Sequence, residues 1–438
     1  IDHDATGKIV FVDHFEGPIA DTDTHFLGPI SCVGDLLGDR RMEIIQGAVV
    51  YSWGKPACAD SLADCSSTCG ENGTPAEQAY CAAFAESLGG GFADAVNSGT
   101  TALYCALRAL DIEPFTEVIV GPITDPGGMM PVPLLGCIPV VPDAEPGRYN
   151  TGPEQIAEML SPLTSAIVVA HIGGEPVDMP AVMALARERG IPVVEDCAQA
   201  HLARLGGQPL GSFGDLAVFS TMFGKHHCTG GQGGLVFTRS EELYTRVRHA
   251  ADRGKPFGLP EGSTNCMASL NFNLDELGCT IGLCQLPKLP AIVARRRGAV
   301  AKLTDAFADL ESIIVPPQIP GAEPSWWFWR LEVAVEKLTC DKAAFCAALA
   351  AEGIPLNPSY RHLPHTMDWY RRRAVFGTSG LPWTSPLYKG DPDRAFPCPN
   401  ALAATGRQFN LAVHEGWGDQ EIADTLAALR KVEAAYLA

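Results

Sequence analysis

Between about residue 91 and residue 238 the hydrophobic period of the sequence keeps changing, and this alternation limits the possible folds more than any other feature. EVIVGP (117–122), IPVVP (138–142), SAIVVAHI (165–172), IPVVEDCA (191–198), DLAVFS (215–220) and GGLVFT (233–238) are short apolar runs bounded by turn residues. Residues 100–110, 153–160 and 179–189 instead repeat their apolar side chains at the helical interval. Near-continuous apolar strands are buried on both faces, so the pattern predicts an α/β fold with a mainly parallel central sheet covered by helices. Residues 281–312 read as a long amphipathic helix kinked near Pro287 and Pro290. WWFWRLEVAVE then reads as a strand, DKAAFCAALAAEG as a helix closed by Gly353, and the last 20 residues as another helix. The expected organisation is a large domain over 51–299 and a smaller C-terminal α/β domain over 300–438, joined by residues 1–50.

Charge and composition narrow the function. The formal net charge is −19, with 51 acidic against 32 basic side chains, which disfavours nucleic acid as a partner. No apolar run reaches the roughly 18–20 residues that span a bilayer, so no membrane association is expected. The opening IDHDATGKIVFVDHFEG is acidic and lacks the basic and apolar regions of a signal peptide, so a cytoplasmic protein is expected. Fifteen cysteines include a cluster at Cys58, Cys65, Cys69 and Cys81, in what reads as an insertion near residues 55–80. It contains no CxxC pair and no histidines at zinc spacing, so no metal site is expected; a metal or iron–sulfur protein built on Cys58, Cys65 and Cys69 is the rival reading.

Four features carry chemistry, in chain order. AVNSGTTALYCALRAL (95–110) ends a strand in small residues and opens a helix, leaving backbone N–H groups free for a phosphate. VVEDCAQAH (193–201) delivers Asp196 to the end of a buried strand, where a carboxylate needs a positive partner such as a protonated pyridine nitrogen. Ser220 and Lys225 follow the next strand, and a lysine in an apolar site has a lowered pKa and can form an imine with an aldehyde. The glycine turn at Gly230, Gly231, Gly233 and Gly234 allows tight chain reversal. An anion cradle, an acid for a ring nitrogen and an amine are together what a pyridoxal phosphate site requires.

SGTTAL, HIGGEPVDMPAVMALARERGIPVVEDCAQAH, GSFGDLAVFS and GQGGLVFT together resemble the DegT/DnrJ/EryC1/StrS family of pyridoxal phosphate enzymes, mostly sugar and cyclitol aminotransferases. The resemblance runs from about residue 90 to the C-terminal helix and implies the aspartate aminotransferase-like fold, fold type I. It implies that Asp196 pairs with the pyridine nitrogen and that Gln199 contacts the ring hydroxyl. Ser220 and the backbone at Gly99, Thr100 and Thr101 would hold the phosphate. Asn271 would reach the cofactor of a neighbouring subunit, so a homodimer with shared active sites is implied. Tyr360, Arg361, His362 and His365, in NPSYRHLPHTMDWYRRR, lie where the family often places acceptor contacts.

FSTMFGKHHCTGGQGG (219–234) sets Lys225 beside His226 and His227. The family places its Schiff-base lysine five residues after the serine, which is Lys225. Counted back six residues from Gln232, which stands where the family usually has an acid, the position is His226. A related dehydratase branch carries histidine there and binds its cofactor noncovalently. A lysine retained beside the histidine would defeat that arrangement, so Lys225 is favoured. Asp125 replaces the usual stacking aromatic and Asn273 a position that is often basic. The expected activity is transfer of an amino group from glutamate or glutamine to a nucleotide-linked keto sugar or a keto-cyclitol through pyridoxal and pyridoxamine phosphate. The alternatives are a sugar 3-dehydratase with His226 as base and a noncatalytic sensor of the same fold.

Overall fold

The computed structural model describes residues 73–438, together with the strands Asp2–His3, Ile9–Val10, Ile30–Gly34, Met42–Gln46 and Val49–Trp53. Residues Ile1–Gly54 form one unit and Lys55–Ala438 another. In the first, Ile30–Gly34, Met42–Gln46 and Val49–Trp53 pair as an antiparallel sheet, and Asp2–His3 pairs with Ile9–Val10. Cys58, Cys65 and Cys69, and most of the segment expected to join the C-terminal domain, lie outside the described residues.

The second unit is organised by a seven-stranded sheet made of β1 (Phe92–Val96), β2 (Glu117–Val120), β3 (Ile138–Val140), β4 (Thr164–Ala170), β5 (Val193–Asp196), β6 (Leu216–Ser220) and β7 (Gly234–Thr238). Its order is β1-β7-β6-β5-β4-β2-β3. The ladders from β6 to β3 are parallel, and β7 runs antiparallel to both β6 and β1. All six apolar runs read from the sequence fall on these strands. The two-residue side-chain period sorts each strand between two cores. Ala217 and Phe219 of β6, with Ile167 and Val169 of β4, enter one. Leu216 and Val218, with Ala166 and Val168, enter the other.

The first core is covered by α1 (Pro75–Ser87), which starts at a capping box between Thr74 and Glu77 with Pro75 in its first turn. It buries Tyr80 and Phe84 against the sheet. The segment expected to be a cysteine-bearing insertion is therefore core helix from Pro75 onward, with Cys81 buried. The second core is covered in part by α2 (Gly99–Ala109). A third core, between Ala299 and Val432, surrounds a four-stranded antiparallel sheet of Ile313–Ile314, Trp329–Val333, Gln408–Leu411 and Leu356–Asn357.

The expected long helix is present and broken where its prolines require: Glu276–Gln285, a 3-10 turn at Leu286–Lys288, then Leu289–Ala306. This corrects the expectation about apolar length, because the run Glu276–Ala306 is long and apolar enough to cross a membrane, with a mean hydropathy of 1.4 over its most apolar window. Its apolar side chains Cys279, Leu286, Leu289 and Val293 pack into the first core.

One buried carboxylate fixes the end of β5. Glu195 is inaccessible to solvent, and Oε1 accepts from the backbone N–H of Phe213 and Gly214 at 2.7 and 2.8 Å. Its Oε2 accepts from Gly211 N at 2.9 Å and faces His171 Nε2 at 3.3 Å. Because His171 Nδ1 accepts from Val177 N, Nε2 carries the proton and donates to Glu195. Glu195, His171 and Cys197 have ligand atoms within 4.8 Å of one another. The carboxylate is already satisfied by these four donors, and burial holds the Cys197 thiol well above its ordinary pKa, so the cluster serves as structure. Replacing Glu195 by Gln turns an acceptor into a donor against buried N–H groups. Glu195→Gln is expected to cost about 3 kcal/mol, read as a lower denaturant midpoint at unchanged slope.

Candidate active site

The carboxyl ends of β5 and β6, the start of α2 and a loop from the C-terminal half enclose a cavity of about 810 Å³. Ser98, Gly99, Thr100, Asp125, Asp196, Gln199, Ser220, Lys225, Gln232, Trp327, Tyr360, Arg361 and His362 all reach it.

Its anion-binding end follows from helix geometry. Ser98 is the N-cap of α2 and its Oγ accepts from Thr101 N at 3.1 Å. The N–H groups of Gly99 and Thr100 belong to the first turn, which has no carbonyl to bond, and they favour an anion. Ser220 ends β6 directly beside them: a Cβ on Gly99 would stand 2.8 Å from Ser220 Cβ, so only glycine permits the approach. Thr101, expected to join this cradle, does not line the cavity. Its hydroxyl donates to Asn97 Oδ1 at 2.8 Å and to Ser98 O at 3.0 Å, and its N–H is taken by the cap.

At the other end Asp196 is buried, and burial raises its pKa, against the pull of Ala198 N–H and Lys225. Its Oδ1 accepts from Ala198 N at 3.0 Å. Gln199 Oε1 accepts from Gly173 N at 2.7 Å, and its Nε2 donates to the Tyr360 hydroxyl at 3.1 Å, tying the β5 loop to the C-terminal segment.

Lys225 faces this cavity and the histidines do not. Desolvation lowers the pKa of Lys225 to about 8, with Asp196 and Asp125 opposing the fall. Its Nζ lies 3.7 Å from the centre of the Trp327 ring, and Trp327 Nε1 donates to Gly224 O at 3.0 Å. His226 turns into the core, where Nε2 donates to Ser325 O at 3.0 Å. His227 Nε2 lies 2.6 Å from the Tyr80 hydroxyl, and His201 Nε2 donates to Ser220 O at 2.8 Å. Burial pushes His201 down to about 4, His227 to about 3 and His226 well below the ordinary value, so all three imidazoles are neutral at pH 7.

At the mouth, Asp125 Oδ1 accepts from Gly127 N at 2.9 Å while Oδ2 faces His362 Nδ1 at 3.5 Å. Arg361 lines the same wall and, among the described residues, has no carboxylate within 4.0 Å. Besides Thr101, two expected site residues lie elsewhere. His365 lines a different cavity, because a 3-10 turn at Pro364–Thr366 carries it away from His362. Asn271 does not line the cavity of its own chain; its Oδ1 accepts from Asn273 N at 3.2 Å. Trp327 was not singled out from its neighbours in the sequence. In WWFW, Trp326 and Trp329 enter the third core, while Trp327 and Phe328 reach the cavity.

Comparison with known proteins shows the family. The sequence profile of the DegT/DnrJ/EryC1/StrS aminotransferase family matches residues 64–430. The spore coat polysaccharide biosynthesis protein SpsC of Bacillus subtilis (strain 168) is 28% identical over 371 residues, which cover 82% of this chain and 90% of SpsC. The aminotransferase from Psychrobacter cryohalolentis superposes with a TM-score of 0.74 at 27% identity, over 83% of this chain and 92% of its own. DesV of S. venezuelae, solved in complex with a ketimine intermediate, superposes with a TM-score of 0.69 at 27% identity, over 82% of this chain and 89% of its own.

A lysine with a lowered pKa is neutral, and therefore nucleophilic, over a pH range where surface lysines are still charged. In cofactor-free protein, competitive labelling with an amine-directed reagent should titrate Lys225 with a midpoint near 8. A midpoint near the ordinary 10.5 would mean that the amine is open to water.

Proposed function

Because the chain belongs to the DegT/DnrJ/EryC1/StrS aminotransferase family, pyridoxal phosphate enzymes of fold type I, we propose that it aminates a keto sugar, nucleotide-linked, or a keto-cyclitol, with glutamate or glutamine as donor. The observation that carries the site assignment is that Lys225 alone of the Lys225-His226-His227 run lines the cavity that holds Asp196 and Ser220.

The cavity suits the cofactor. Gly99 and Thr100 N–H and Ser220 Oγ offer donors for a phosphate, and a buried Asp196 with a raised pKa calls for a cationic partner. Asp196 would hold a proton on the pyridine nitrogen, and Gln199 would contact the ring hydroxyl. When bound, pyridoxal phosphate supplies the aldehyde that takes up the amino group and the electron sink that makes the substrate carbon acidic. Lys225 Nζ is the base that accepts the proton from the donor's α-carbon and returns it in the course of transfer. A pKa near 8 leaves the amine able to take and give a proton close to neutral pH. The Trp327 ring covers that amine and keeps water from it. At the mouth, Arg361 takes a negatively charged group of the substrate, and His362, oriented by Asp125, hydrogen-bonds substrate hydroxyls beside Tyr360.

We further propose a homodimer in which Asn271 serves the cofactor of the partner subunit, which would explain why it leaves its own cavity. The division into domains at 51–299 and 300–438 is part of the same reading, and the separate core between Ala299 and Val432 supports it. The dehydratase alternative needs His226 as a base in the cavity. Its bond to Ser325 O and its depressed basicity count against that role.

Borohydride reduction of the cofactor-loaded enzyme followed by peptide mapping should find the adduct on Lys225, and Lys225→Ala should abolish amino transfer while His226→Asn retains it. Retained cofactor with no adduct, or full turnover by Lys225→Ala, would sink this assignment. The donor assignment is checked by supplying glutamate and glutamine separately and following release of 2-oxoglutarate or its 5-amide.

A further inference from the structure

A second cavity, of about 460 Å³, lies beside β3, where residues 365–396 fold over Ile138 and Val140. Its walls are rings held by their polar ends. Tyr370 donates its hydroxyl proton to Pro139 O at 3.2 Å, and Tyr388 donates to Glu117 Oε1 at 2.7 Å. Trp383 meets Tyr370 edge to face, with centroids 5.5 Å apart. Anchored rings of this kind form a rigid aromatic wall against which a flat group can pack.

Two polar side chains in the same cavity lack good partners. Arg394 is half-buried, and no carboxylate oxygen lies within 4.0 Å of it among the described residues. It stacks on Phe396 and donates one N–H to the Met159 thioether at 2.9 Å, a weak acceptor for a group with five donors. His365 is nine-tenths buried, and its Nδ1 has no hydrogen-bond partner. By contrast Arg373 is paired with Asp393 at 2.7 Å. Asp391 and Asp393 also line the cavity, Asp393 taken by Arg373, and a forked guanidinium with no carboxylate within 4.0 Å among the described residues matches a carboxylate or phosphate.

We propose that this cavity is a second ligand site, separate from the Lys225 cavity, for a small molecule that joins a flat ring to a single oxyanion. Arg394 takes the oxyanion, and Trp383 and Tyr370 take the ring. The ring is the reason to expect discrimination against a bare anion, and the guanidinium the reason to expect discrimination against a bare ring.

The test uses the cofactor-loaded enzyme, with thymidine 5′-monophosphate as the probe and calorimetry as the readout. Thymidine and inorganic phosphate are the two half-ligand controls. The nucleotide should bind at least tenfold tighter than either half. Arg394→Gln and Trp383→Leu should each weaken it at least tenfold while retaining the cofactor spectrum, and Lys225→Ala should bind it unchanged. No binding at millimolar nucleotide, or binding that Arg394→Gln leaves intact, would overturn the proposal. Should Trp383→Leu fail to fold, Tyr370→Leu tests the same wall.

Discussion

Everything at the catalytic end of the molecule depends on a carboxylate that takes no part in the chemistry. Glu195 is buried without a countercharge of full strength, and three backbone N–H groups and an imidazole N–H satisfy it instead. Those donors come from the loop that precedes β6 and from the residue that follows β4, so a single side chain on β5 clamps the two connections on either side of that strand. Strand alternation then decides the rest. If Glu195 points into the first core, Asp196 must point the other way, toward the cavity. The desolvated environment that raises Asp196 is a result of the same anchoring.

A similar division of labour holds at the β6 turn. The rings of His226 and His227 lie 6.1 and 5.9 Å from that of His201 by centroid, and all three imidazoles carry no charge. Each spends a nitrogen on a backbone carbonyl or the Tyr80 hydroxyl. They form a polar but neutral floor that fixes the backbone on either side of Lys225. A charged group there would compete with Asp196 for the lysine's field; neutral ones leave that pairing undisturbed.

The fold was legible in the sequence because a parallel sheet buried on both faces leaves continuous apolar runs, and all six runs lie on strands. That Asp196, Ser220 and Lys225 line one cavity was legible as well, since Asp196 and Ser220 end their strands and Lys225 follows Ser220 by five residues. Legibility fails where a turn intervenes. His362 and His365 are three residues apart, yet the 3-10 turn at Pro364–Thr366 sends them into different cavities. Thr101 looked like part of the anion cradle, but the Ser98 cap had already claimed its N–H. Trp327 could not be told from its aromatic neighbours because a positive φ at Trp326 breaks the strand alternation just before it. The apolar run was underestimated because its prolines read as interruptions, although the 3-10 turn they impose still joins two helices into one apolar stretch.

The contact between Trp327 and Lys225 joins residues a hundred positions apart, one from the sheet platform and one from the strand entry of the C-terminal core. The same indole anchors the turn at Gly224 and shields the neighbouring amine. How that segment seats therefore sets how basic the amine is. Changes in the C-terminal half are thus not electrostatically silent: a sequence that remodels the cavity mouth near Trp327 also retunes the proton affinity of the Lys225 amine.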